Sequence, residues 1–278
     1  MNPKYPVLAI LPVASLIIHE HHDQSRTYPL IERIRESRVF TNPVIVTPLH
    51  DHTARYMVLD GANRTTSFQK LGYAHILAQV VEPEELGAET ETWNHVVWDI
   101  DPDIFLERLL QLSPLTFRAS NAQQAYDSVI HRQGLAAVHM PDGRVFEVHT
   151  PACGMVERNE FLNAIVNTYK DRGGMDRTNQ RTVETLKSLY PTLSGLVFMP
   201  LLKVQHIVQL VGQGRRLPAG VTRFSISPRA LRVNFPLDRL LANESLEVKN
   251  ETLHQFIQER IARKGVRYYA ETTLLYDE

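Results

Sequence analysis

The spacing of apolar residues changes several times in the first hundred positions, and each change marks an element. "VLAIL" (7–11) and "SLIIHE" (15–20) are short and rich in branched residues, which predicts strands. From Tyr28 the period lengthens: in "YPLIERIRESRVF", Leu30, Ile31 and Ile34 share one side of a helix while Arg33, Arg35 and Glu36 lie off it. Asn42-Pro43 announces the strand "VIVTPL" (44–49), because proline drives its predecessor away from helical conformation. A strand "ARYMVLD" (54–60), a helix "RTTSFQKLG" closed by Gly72 and a strand "HILAQVV" (75–81) follow. Residues 1–100 are therefore expected to form a small α/β unit, with the Asp60-Gly61 turn where a strand feeds a helix.

Past residue 100 the pattern is weaker. "DPDIFLERLLQL" has an N-cap acid, a proline at the first helical position and helical apolar spacing. "LAAVHMPDGRVFEVH" reads as a hairpin about Pro141-Asp142-Gly143. Helices are expected over 157–174, 179–191, 201–214 and 251–265. No internal repeat or low-complexity segment appears. Residues 101–278 are expected to form an α+β region packed against the first unit.

Composition narrows the classes. The chain has 278 residues, 43% of them hydrophobic and 22% charged, with a formal charge of -1. These are the proportions of a globular protein without a bulk attraction to nucleic acid or membrane. The one cysteine, Cys153, excludes an intrachain disulfide and any multi-cysteine zinc cluster, and fits a reducing cytoplasm. The apolar start is interrupted by Pro3, Pro6 and Pro12, so neither a signal peptide nor a membrane span is expected.

Four stretches could carry chemistry. In "YMVLDGANRT" (56–65) a strand ends at Asp60, Gly61 lets the backbone approach a ligand, and a helix start offers free N–H groups to an anion. Arg64 could add a charge-assisted contact to phosphate, and Asp60 could hold a magnesium ion or a proton. A plain N-cap made by Asp60 explains the same residues, and is the commoner arrangement. In "IIHEHHDQ", the contiguous histidines lack the spacing of a helical zinc pair, so His21, His22 and Asp23 read as a solvated loop. Glu20 differs, ending an apolar strand where such units bind ligands. Thr222-Arg223, after the Pro218-Ala219-Gly220 turn, pairs a hydroxyl with a guanidinium and suits a carboxylate or phosphate, although a plain surface arginine is the default reading of Arg223. Trp93 and Cys153 are most simply core residues.

In combination these stretches resemble the free L-serine kinases built on the ParB/sulfiredoxin fold, the SerK and SbnI group, and especially its siderophore-cluster branch. The landmarks are His19-Glu20, "IRESRVFTNPVIV" (34–46), "YMVLDGANRTTSFQKLG" (56–72), "ETWNH" (91–95) and "LPAGVTRFSIS" (217–227). Residues 1–100 carry the likeness together with 217–240. The resemblance implies a nucleotide-binding domain over 1–100, a second domain over 101–278 that completes the serine pocket, and phosphoryl transfer from ATP, or from ADP as in an archaeal branch, to L-serine with Mg²⁺. It implies catalytic roles for Glu20 and Asp60, with Asp60 also at the metal. Ser37, Asn42, Gly61, Ala62, Asn63, Arg64 and Thr65 would hold the nucleotide, and His19, Trp93, Thr222 and Arg223 the serine. The phosphoserine would feed siderophore-type or cysteine biosynthesis. Ala62-Asn63 departs from the two histidines of many relatives, and Asn63 can donate a hydrogen bond but carry no charge. Ala62 also stands where sulfiredoxins need their nucleophilic cysteine. A ParB-like DNA-binding regulator is the alternative, and it requires a helix-turn-helix that the mixed charges of 156–190 do not announce.

Overall fold

The N-terminal alternation yields a five-stranded mixed sheet. In the computed structural model, which describes residues 5–21, 27–87, 90–151 and 154–269, the elements run β1 (Val7–Pro12), β2 (Leu16–Ile18), α1 (Thr27–Glu36), β3 (Val39–Phe40), β4 (Val44–Pro48), β5 (Tyr56–Asp60), α2 (Ala62–Lys70) and β6 (His75–Val80). The sheet order is β1-β6-β4-β5-β2. Strands β4 and β6, like β2 and β5, are parallel, while β1/β6 and β4/β5 are antiparallel. Successive side chains of a strand face opposite ways. Val44, Val46 and Val58 thus enter one core with Ile34 and Phe68 of the helices. Ile45, Met57 and Leu59 enter another, shared with the second half of the chain. That double burial makes these strands nearly continuous apolar runs.

The second half continues with β7 (Glu91–Thr92), β8 (Asn94–Trp98), α3 (Pro102–Leu110), β9 (Thr116–Ser120), α4 (Ala122–Ile130), β10 (Ala136–His139) and β11 (Val145–His149). Then come α5 (Met155–Asn167), β12 (Gly174–Thr178), α6 (Glu184–Lys187), β13 (Leu193–Phe198), α7 (Val204–Gly212), β14 (Thr222–Arg223), β15 (Phe235–Pro236), α8 (Leu237–Leu241) and α9 (Leu246–Ala262). Six of these strands form an antiparallel sheet in the order β12-β8-β13-β10-β11-β9. The chain is thus a mixed α/β protein with two large sheets and, among the described residues, the two-stranded pairs β14-β7 and β15-β3. Among the described residues, no helix is long and apolar enough to cross a membrane.

Several elements differ from the sequence pattern, and tertiary packing accounts for each. The helix expected through Phe40 stops at Glu36, because Phe40 packs edge-on to Phe68 and β3 pairs with β15. Of 179–191 only Glu184–Lys187 is helical, its inward face reduced to Val183 and Leu186. Strand β13 is buried throughout and has no period to read; its Gly195 leaves room for the Phe105 ring, which a Cβ would approach to 2.6 Å. The 156–190 segment is one long helix, a strand and a single helical turn, so it contains no helix-turn-helix. Cys153, His22 and Asp23 lie outside the described residues.

The C-terminal segment returns to the first sheet. Phe235, Leu237, Leu240 and Leu253 are buried in its core, and the Phe235 ring meets Phe256 edge-on. Because Phe235 is 1% exposed, Phe235→Ala should lower stability by about 3–5 kcal/mol. Urea unfolding followed by circular dichroism measures it, and an unchanged midpoint would show that the C-terminal return adds nothing to that core.

Candidate active site

One cavity of about 1380 Å³ opens between the ends of β2 and β5 on one side and the 219–222 turn and β12 on the other. Glu20 lies on its wall only 8% exposed. The Glu20 peptide is strapped to Leu217: Leu217 N–H donates to the His19 carbonyl at 2.8 Å and His21 N–H to the Leu217 carbonyl at 2.9 Å. This brings the 217–222 loop over the Glu20 carboxylate. Gly220 N–H donates to Oε2 at 2.8 Å, Thr222 N–H to Oε1 at 2.6 Å, and the Thr222 hydroxyl to the same Oε1. His19 Nδ1 donates to the Val58 carbonyl at 2.5 Å, and its Nε2 lies 2.7 Å from the Thr222 hydroxyl and 3.6 Å from Oε1. Burial alone would push the Glu20 carboxyl up, yet the His19 and Thr222 contacts outweigh it and hold the group at about 2. Glu20 is thus a buried, ionised and geometrically fixed carboxylate.

A second buried pair backs this turn. His95 Nε2 donates to the Gly220 carbonyl at 3.1 Å, which leaves Nδ1 to accept from the Tyr169 hydroxyl at 2.8 Å. Burial pushes His95 down to about 4, so the ring stays neutral. Sequence reading passed over His95; its place two residues after Trp93 was the available signal.

At the other end of the cavity, Gly61 takes φ 97° and α2 starts without a side-chain cap, so Asp60 does not cap its own helix. The first intrahelical bond is Thr65 N–H to the Gly61 carbonyl at 2.9 Å, which leaves the N–H groups of Ala62, Asn63 and Arg64 ahead of it. A Cβ on Gly61 would lie 2.8 Å from Val44 Cγ1 and 2.9 Å from Arg64 Nη2. Asp60 meets two guanidiniums, Arg64 at 3.3 Å and Arg229 from the 228–230 segment. Buried Gln79 clamps that segment, donating to the Pro228 carbonyl at 2.9 Å and accepting from Ala230 N–H at 2.8 Å. The turn therefore carries a carboxylate, two guanidiniums and a helix N-terminus, a local surplus of positive potential suited to an anion.

Ser37, Asn42, Asp60, Gly61, Ala62, Asn63 and Arg64 share the cavity wall with His19, Glu20 and Thr222. Asn63 Oδ1 accepts from the Thr27 hydroxyl at 3.3 Å, and Asn42 Oδ1 from Arg232 N–H at 2.8 Å. Thr65 is buried behind the wall. Trp93 and Arg223 are off the wall, behind Thr222: the Arg223 guanidinium lies 4.7 Å over the Trp93 ring and 3.1 Å from Glu91. Sequence reading missed Arg177 and Arg232, which line the cavity from β12 and the 228–234 segment, and Arg229, which pairs with Asp60; "SISPRALRV" held the signal as paired arginines beside a proline turn. Among the described residues, no group of three His, Cys, Asp or Glu side chains is placed to hold a metal ion.

Comparison with known proteins places this geometry in context. No protein-family model matches the chain. It is 27% identical to the ATP-dependent L-serine kinase SbnI of Staphylococcus aureus, with all of both chains aligned. The structure of C-terminally truncated SbnI superposes with a TM-score of 0.72 and 26% identity, covering 91% of this chain and 97% of that one. A free serine kinase in complex with AMP superposes with a TM-score of 0.68 at 15% identity, over 86% of this chain and 95% of that one, a likeness of fold.

Acid titration should report both buried groups. Glu20 is held below the ordinary carboxyl value of 4.5, so its stabilisation is complete above that value and is lost as pH falls toward about 2. Neutral His95 contributes stability above 6.5 that is lost as pH falls toward about 4. Stability-versus-pH curves should lose the lower slope in Glu20→Gln and the upper slope in His95→Gln. Parallel curves for all three proteins would contradict the assignment.

Proposed function

We infer that this chain, which belongs to the ParB/sulfiredoxin-fold free L-serine kinases, transfers the γ-phosphoryl group of ATP to the hydroxyl of free L-serine. The observation that carries the reading is one cavity with a fixed, ionised carboxylate at one end and an anion-binding turn at the other, in a chain aligned end to end with a serine kinase. A buried carboxylate with a free face is suited to an alcohol, and the α2 turn to a polyphosphate.

In this reading Glu20 accepts a hydrogen bond from the serine hydroxyl and aims its oxygen at the γ-phosphorus. The new bond forms between that oxygen and phosphorus, the bond from phosphorus to the β,γ-bridging oxygen breaks, and ADP leaves with the electron pair. The hydroxyl proton passes to Glu20. A carboxylate held at about 2 is a weak base, but a loose transition state leaves the alcohol's proton in place until late, so orientation counts for more than basicity. The Thr222 hydroxyl, between Glu20 and His19, offers the proton a short onward path.

The nucleotide's phosphates would lie on the N–H groups of Ala62 and Asn63 and on Arg64, with Ser37 and Asn42 on the adjoining wall and Thr65 supporting the turn from behind. Asp60 would hold Mg²⁺. Such ions take one or two protein carboxylates and complete their shell with phosphate oxygens and water, which fits a lone acid at the end of β5. When bound, the ion would neutralise charge on the phosphates. Arg64 and Arg229, now paired with Asp60, would turn to the same oxygens. Trp93 and Arg223 brace Thr222 from behind the cavity wall.

Purified protein given ATP, Mg²⁺ and L-serine should form O-phosphoserine, detected by mass spectrometry. Glu20→Gln should lower kcat by roughly 10²–10⁴-fold with a smaller change in the serine KM. Absence of phosphoserine with the unaltered protein would refute the kinase reading, whereas a fully active Glu20→Gln would refute only the role of Glu20.

A further inference from the structure

We propose that Arg177 reads the α-carboxylate of the acceptor and so makes the site one for a free amino acid. This rests on the kinase reading above. Arg177 sits on β12, the edge strand of the second sheet, opposite His95 of β8. Partners across a strand pair share a face, and on that face His95 holds the Gly220 carbonyl. The Arg177 side chain lies directly on Gly220: a Cβ there would be 2.7 Å from its Nε. Gly220 N–H in turn holds Glu20 Oε2 at 2.8 Å. The guanidinium is therefore one residue's breadth from the proposed base.

Arg177 lines the cavity, and among the described residues no carboxylate lies within ion-pair distance of it. The neighbouring acid, Asp176, also lines the cavity but is engaged by Tyr190, whose hydroxyl donates to it at 3.0 Å. The arginine that sequence reading offered for this task, Arg223, is committed to Glu91 and Trp93 away from the cavity.

Acceptor chemistry supplies the rest. In serine the carboxylate is on the carbon next to the one that bears the hydroxyl. A hydroxyl seated on Glu20 therefore brings the substrate carboxylate close to an ionised glutamate. Two like charges in a buried site repel strongly unless a cation neutralises one of them. A guanidinium does this while giving two parallel hydrogen bonds to a planar carboxylate. Gly220 belongs to the same device, since φ 74° and the close pass of Arg177 both exclude a side chain there.

The test compares L-serine with L-serinamide, which keeps the hydroxyl and ammonium but lacks the carboxylate. Kinetics on the full-length protein with saturating ATP and Mg²⁺ should show the unaltered enzyme strongly preferring serine. Arg177→Gln should raise the serine KM roughly 100-fold, leave the ATP KM within about twofold, and bring the serine-to-serinamide preference close to unity. Arg177→Lys should recover part of the serine KM, because it restores charge without the fork. A general loss of structure would move the ATP KM and the melting temperature as well. If Arg177→Gln keeps both the serine KM and the preference, the assignment is wrong while the kinase reading stands. If the unaltered protein phosphorylates neither compound, both fall.

Discussion

The organising constraint of this molecule is the burial of an ionised carboxylate. Leaving Glu20 charged while 8% exposed would be prohibitive without compensating donors. The donors come from far along the chain: two backbone N–H groups and a hydroxyl of residues 220–222, with His19 alongside. Supplying them obliges the 217–222 loop to run beside β2, and that contact joins the edge of the first sheet to the second half of the protein. The charge that would perform the chemistry is thus also the reason the two halves meet where they do.

The opposite end of the cavity obeys a different economy of space. Gly61 brings backbone, Val44 and the Arg64 guanidinium together more closely than any side chain would permit. The result is a helix start with unclaimed N–H groups facing a pair of arginines and one acid. Ala62-Asn63 leaves this arrangement intact, because backbone donors and guanidiniums supply the positive potential.

Much of the first sheet was legible in the sequence. Strand 44–48, strand 56–60 and the helix that follows carry strong local signals, namely branched apolar runs, Asn42-Pro43 and Asp60-Gly61. The hairpin at 135–149 and the capped helix at 101–112 were legible for the same reason. Strands β8, β12 and β13 were not. Sandwiched in a sheet with both faces covered, β13 shows no alternation, and Gly174 and Gly195 look like turn residues although they make room for Trp98 and Phe105. The end of α1 was misread because Phe40 serves a core completed by residues near 235.

The same division holds for the site. By itself the sequence determined which chemical groups exist and which lie on a strand end or helix start: Glu20 after an apolar run, and Asp60, Gly61 and Arg64 in one turn. Local backbone preferences suffice for that. Only the tertiary structure decided which arginine lines the cavity that holds Glu20. Thr222 and Arg223 are neighbours in sequence, yet strand alternation sends one to Glu20 and the other to Trp93. Arg177, some 157 positions beyond Glu20, reaches the cavity because antiparallel pairing with His95 sets it over Gly220. Register and packing between distant segments made that choice, and no local pattern records it.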